Sequence, residues 1–184
     1  MKDEVPNPNA GARAAQISPI GANLEWTTSL ARFAEYLPKD GNAELSLLRV
    51  HLLVEELLNL VIERNMKRPD FLRKARLPFE KKLILTQGFL SGVSEAEWIW
   101  AAIGKLNEAR NKLAHNLDNE VIERKLDEFI NCVENVEGPP PADAFNGPMQ
   151  RFQLSGLKVF MHTVRVVQID PSDVKISIVI GDST

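Results

Sequence analysis

One cysteine, Cys132, stands in 184 residues, which excludes an internal disulfide and a cysteine-built zinc site. It lies among Phe129, Ile130 and Val133 and reads as a buried structural thiol. Histidine is nearly as scarce. Of His51, His115 and His162, neither His51 nor His162 stands in a credible metal-ligand cluster, so no metal or other cofactor is expected. Apolar runs of membrane-spanning length are missing as well, because Glu, Arg and Asn break the longest ones. The N-terminal stretch begins Met1-Lys2-Asp3-Glu4, continues with Pro, Asn, Gly and Ala, and holds no apolar signal-peptide core. The expectation is a soluble, cytoplasmic protein with no membrane partner. An overall positive charge is lacking too. The formal net charge is −3, which gives no whole-surface attraction to nucleic acid.

What is present is an ordinary globular composition, 44% hydrophobic and 26% charged, in a chain long enough to bury a core without staples. The charge is unevenly spread. Between Glu63 and Lys82 eight basic residues (Arg64, Lys67, Arg68, Arg73, Lys74, Arg76, Lys81, Lys82) face only Glu63, Asp70 and Glu80. Between Asp118 and Glu137 seven acids outnumber Arg124 and Lys125. A locally basic surface suits a phosphate ligand, and Arg64, Lys67, Arg68, Arg73, Lys74 and Arg76 are the candidate RNA-binding residues. The alternative is a solvated connection between helices.

The hydrophobic pattern predicts an all-α chain of four to five bundled helices with a C-terminal extension. Residues 1–22, rich in Pro, Asn, Gly and Ala, read as a flexible tail. The bundle domain spans 23–137. A first helix runs from Asn23 or Leu24 to Tyr36 and stops at Pro38. A second, capped by Asn42, runs from Ala43 to about Arg64 and is apolar nearly all round, as a helix buried on several sides should be. Its polar residues His51, Glu55 and Asn59 recur every fourth position and form one line, either a solvated edge or the side of a site. A basic connection with a short helical turn around Asp70 to Lys74 follows. A third helix spans Phe79 to about Leu90, with Pro78 in its first turn. The fourth starts at Ser94 with Glu97 completing a capping box, and a fifth runs from Glu120 to about Val136, capped by Asp118 or Asn119. Residues 138–148 are a Pro-rich linker. In the extension, 149–184, a helix over Met149 to Met161 precedes a β-hairpin of Val164 to Ile169 and Val174 to Ile180. A helix continued to Gln168 is the alternative.

The segment Arg110-Asn111-Lys112-Leu113-Ala114-His115 concentrates the chemistry. Ile99, Ala102, Ile103, Leu106, Leu113 and Leu117 make an inward stripe, and Arg110 lies within it. A guanidinium there needs a carboxylate, a carbonyl or a phosphate as partner. Asn111 and His115 share a face, whereas Arg110 and His115 sit roughly 140° apart around a regular helix. They converge if the helix loosens near His115, if long side chains bend inward, or if two copies meet. Imidazole exchanges protons near neutral pH, and guanidinium matches phosphate oxygens bidentately. RNA carries its own nucleophile in the 2′-OH. Such side chains near a helix end also serve simply as caps. Trp98 and Trp100 precede the segment on different faces; one is expected in the core, and for the other the readings are a core position, which comes first, or an interface or a stacked base.

Arg110-Asn111 followed by three residues and His115 resembles the Arg-polar-x-x-x-His signature of the HEPN superfamily, and with the long apolar helix before it the resemblance spans roughly Leu24 to Val136. It implies an all-helical bundle and, in many members, metal-independent endoribonuclease activity in toxin or defence systems at a cleft shared by two protomers. On that resemblance the protein is a homodimer that binds or cleaves RNA, with an antitoxin or regulatory protein as a further partner. His115 is then the acid/base group, Arg110 stabilises the phosphate and transition state, Asn111 tunes the pair, and Glu55 orients one of them. Members controlled by a nucleotidyltransferase antitoxin often carry Tyr two residues after the His, where this chain has Leu117. Phe79 to Val133 also resembles the mannitol operon repressor family, which implies a non-catalytic transcriptional or signalling regulator instead.

Overall fold

The structure, a computed structural model, describes residues 31, 33–38, 42–90, 97–115, 119–141 and 147–167, with backbone alone at Leu72 and Arg73. Among these residues all regular structure is helical: α1 (Ala43–Asn65), α2 (Asp70–Ala75), α3 (Phe79–Phe89), α4 (Glu97–His115), α5 (Asn119–Glu137) and α6 (Pro148–Val167). Residues 33–36 are helical as well. The described residues thus form an all-α bundle. None of the described helices is long and apolar enough to cross a membrane.

The centre is α1, which packs against α3, α4 and α6. Asn42 caps it, its side-chain oxygen accepting the Leu45 N–H at 2.8 Å. Leu47, Val50, Leu53, Val54, Leu57, Leu58, Val61 and Ile62 are buried, and apolar residues on both sides of the helix find neighbours. The burial is not complete, for Leu48 and Leu52, one turn apart, are exposed. Pro78 stands at the N-cap of α3, one position before the first turn assigned to it from the sequence. The Ser94 capping box, the Asp118 cap and residues 1–22 lie outside the described residues.

Helices α4 and α5 run antiparallel, as their charged pairs show. Lys105 meets Glu128 at 3.4 Å while Lys125 meets Glu108 at 3.0 Å. Beneath this exposed lacing lie Ile99, Ile103 and Leu106 of α4 and Ile122, Leu126, Phe129 and Val133 of α5. α5 ends at Gly138, whose φ of 78° is the left-handed conformation that closes a helix and that glycine adopts without a Cβ clash. The Gly138 carbonyl then accepts from Lys158 Nζ of α6 at 3.0 Å.

The hairpin expected from Val164 onward is corrected over its first residues. α6 continues through Val167, which is the alternative reading as far as the described residues go. Val174 to Ile180 lie beyond them. Phe152, Val159, Phe160, Val164 and Val167 lie on one stripe of the helix and enter the same core as α1, α4 and α5. Thr163, a strand-favouring residue, folds its hydroxyl onto the Val159 carbonyl at 2.7 Å within the helix. The Arg151 guanidinium grips Glu134 of α5 with two nitrogens, Nε at 3.0 Å from Oε1.

Candidate functional site

α4 carries the segment that the sequence singles out, and it remains a regular helix through its last residue, His115. The loosening that would let Arg110 and His115 converge within one copy is therefore not seen. The two lie about 7.5 Å apart along the axis and roughly 140° apart around it. His115 is exposed at the helix end. Arg110 is half-buried, and its Nη1 donates to Asn111 Oδ1 at 3.3 Å. Asn107, Asn111 and His115 recur every fourth residue and form one line along α4.

The inner end of that line meets α1. Asn107 is 6% exposed, and its Oδ1 lies 3.2 Å from His51 Nε2. The imidazole ring also lies 4.3 Å from that of Phe79, the first residue of α3, at a tilt of 31°. Its Nδ1 faces Glu55 Oε2 at 3.9 Å, and Glu55 Oε1 accepts from Lys82 Nζ at 2.6 Å. Three helices thus meet in one polar cluster, with α1 giving His51 and Glu55, α3 giving Lys82, and α4 giving Asn107.

Burial holds the His51 pKa below its ordinary value. The Asn107 hydrogen bond and the Glu55 charge act in the opposite direction, and the Arg110 and Lys82 charges push it down further. Arg110 is thus electrostatically coupled to the cluster although it makes no hydrogen bond to it. Glu55, assigned from the resemblance to orient Arg110 or His115, instead has Lys82 and His51 as its described partners.

The line of His51, Glu55 and Asn59 proves to be the side of a cluster at its first two members. Asn59 is half-buried and bonds Glu56 at 3.4 Å. Lys82 and Asn107 were missed as members. In the sequence Lys82 counts as one more charge of the basic stretch between Glu63 and Lys82, yet its side chain is only 14% exposed. Asn107 carried a usable signal, since it follows Ile103 by four residues and so intrudes on the inward stripe.

The basic connection lies on the surface. Lys67, Arg68, Lys74 and Arg76 are exposed, Arg64 is exposed at the end of α1, and the Arg73 side chain lies outside the description. Arg68 reaches Asp70 at 3.4 Å. Of the tryptophans, Trp100 is in the core, while Trp98 is half-buried with its ring 5.2 Å from that of His162. Cys132 is half-buried rather than buried, and burial pushes its thiol pKa up, away from the reactive thiolate. Among the described residues no group of three or more His, Cys, Asp or Glu side chains could hold a metal ion. No protein-family model matches the chain, and no curated protein or solved structure matches it.

Proposed function

We propose that this chain is a HEPN-like RNA-binding protein in which two copies join Arg110, Asn111 and His115 into a metal-independent endoribonuclease site. The observation that carries the reading is the state of Arg110. Its guanidinium is half-buried, yet its described hydrogen bond goes to a neutral amide, and no carboxylate among the described residues neutralises it. A cation so placed retains the charge and the planar donor edge that phosphate oxygens accept. Dimerisation is part of the proposal because one regular helix directs Arg110 and His115 apart, and a second copy supplies the missing partner.

In such a site the ribose 2′-oxygen attacks the adjacent phosphorus while its proton passes to one imidazole. The P–O5′ bond breaks and the departing oxygen takes a proton from the other copy's imidazolium, leaving a 2′,3′-cyclic phosphate and a 5′-hydroxyl. Arg110 stabilises the charge that builds on the non-bridging oxygens. The test is cleavage of a varied RNA pool in excess chelator by wild type, His115→Ala and Arg110→Gln. Wild type cleaves, and His115→Ala is slower by about 10²–10⁴-fold at unchanged melting temperature.

A second reading, a non-catalytic regulator resembling the mannitol operon repressor, is favoured by the position of His115. It ends α4 beside Lys112, where basic side chains complement the negative end of the helix dipole. Under it neither protein cleaves RNA, and His115→Ala lowers the melting temperature instead.

A further inference from the structure

Among the described residues Phe71 is, with Phe89, a phenylalanine that the core leaves exposed. It lies on α2, of which Asp70, Phe71, Lys74 and Ala75 are all exposed, and 49% of its surface meets solvent. A singly exposed apolar side chain is common on protein surfaces, so what distinguishes this ring is its surroundings. The Arg68 guanidinium carbon sits 4.6 Å from the ring centroid, and Lys74 Nζ sits 5.5 Å from it. These are cation–π distances, and they hold two positive charges at one aromatic ring. Exposed Lys67 and Arg76 extend the positive surface on either side in the chain. The acid within the stretch, Asp70, meets Arg68 at 3.4 Å across exposed side chains, a contact weak enough to exchange for a phosphate.

We propose that Phe71, with Arg68 and Lys74, is a stacking site for one unpaired base of a single-stranded RNA, the two cations binding the flanking phosphates. The proposal rests on the RNA reading above and adds the form of RNA that binds. An aromatic face and a planar guanidinium both stack on a nucleobase, and phosphates follow each base at a spacing that flanking cations reach. A duplex offers no such base, since its bases are already stacked and its wide groove shows edges and hydroxyls. The site is placed on the connection between α1 and α3, and none of its three residues is among those assigned to cleavage, so it binds the strand without taking part in the reaction.

The test is fluorescence anisotropy at several salt concentrations, with a labelled unstructured RNA of about 12 nucleotides and a blunt RNA duplex of equal length. Phe71 lies outside the core, so its variants keep the wild-type melting temperature, which is checked first. Phe71→Ala should bind the single strand about 10–100-fold more weakly at an unchanged salt slope, and Phe71→Tyr should bind as wild type does. Arg68→Gln and Lys74→Gln should each make the slope shallower, as loss of one phosphate contact does. Single-stranded DNA of the same sequence, bound with the same dependence on Phe71, supports stacking and shows that the 2′-OH is not read there. The proposal is overturned if Phe71→Ala matches wild type, if it weakens strand and duplex alike, or if wild type does not bind the strand. Binding without cleavage leaves this site standing while the nuclease reading falls, and cleavage with no effect of Phe71 does the reverse.

Discussion

His51 and Asn107, 56 residues apart in the chain, meet as a buried pair with His51 Nε2 3.2 Å from Asn107 Oδ1. The contact fixes α1 against α4 one turn before Arg110 and so helps set where the guanidinium lies. On the other side of the ring Nδ1 faces the Glu55 carboxylate, 3.9 Å away and already held by Lys82.

Stability should therefore fall in mild acid. The native pKa of His51 lies below its ordinary value, chiefly through burial, whereas the unfolded chain keeps a value near 6.5. Between those two values the unfolded state binds more protons, and stability rises with pH. The contribution is whole above pH of about 6.5 and is lost as pH drops through 6.5 toward the lower native value. Glu55, Lys82 and Arg110 are the charged groups acting on the ring. Thermal melts at a series of pH values should show the decline in wild type and a flatter profile in His51→Gln, which keeps an amide donor without the titration. An equally steep decline in the variant would assign the effect to other groups.

Glu55 and Lys82 should prove strongly coupled. Their side chains are 26% and 14% exposed, so the ion pair lies between the surface and the interior. Removing one partner leaves the other charge poorly solvated, which is more damaging than losing a surface pair. In a double-mutant cycle Glu55→Gln and Lys82→Met should each lower stability, and the double variant should lose less than their sum. The coupling should be about 0.5–3 kcal/mol by denaturant unfolding. Additive losses would mean that the pair contributes nothing beyond its parts.

Much of this arrangement was legible in the order of residues, and the rest failed for identifiable reasons. The helix of Ala43–Asn65 announced itself through Leu45, Leu47, Val50 and their successors, and its cap through Asn42, because capping and apolar spacing are local. The end of α6 was misread since Val164, Val166 and Val167 favour strands by themselves. Burial of Val164 and Val167 against the bundle overrode that preference. The His51 cluster needed contacts between helices, which no single stretch contains. Its two halves, the His51–Glu55 line and Asn107 in an apolar stripe, were visible, but their meeting was not. Arg110 and His115 were legible as a pair of residue types, whereas the regular helix that keeps them apart emerged only in the fold.

Thr86 should be better replaced by valine. It is fully buried on α3, and its hydroxyl has no hydrogen-bond partner among the described residues. A buried polar atom without a partner carries its desolvation penalty uncompensated. Valine has nearly the same shape and no hydroxyl, so Thr86→Val should raise stability by about 1 kcal/mol. A lower melting temperature would indicate a bound water as the hydroxyl's partner.

Gly156 marks a close approach of α6 to α1. A Cβ built there would stand 2.9 Å from Val50 Cγ1 and 3.2 Å from Phe33 Cζ. Val50 is fully buried and β-branched, so its methyls have little room to swing away. Helix propensity by itself favours any side chain over glycine at an interior position, by up to about 1 kcal/mol for alanine. Overpacking works in the opposite direction at about 1–3 kcal/mol, and here it is the larger effect because the obstructing atom is rigid. Gly156→Val should therefore lower the melting temperature, and far-ultraviolet dichroism should show the helices retained. Shortening the obstacle isolates the cause. Val50→Ala alone opens a cavity and destabilises, yet in the Gly156→Val background it should recover part of the loss, as contacting residues do in a double-mutant cycle. Strictly additive losses would mean that α1 and α6 separate freely at this crossing and that Gly156 is not what sets their distance.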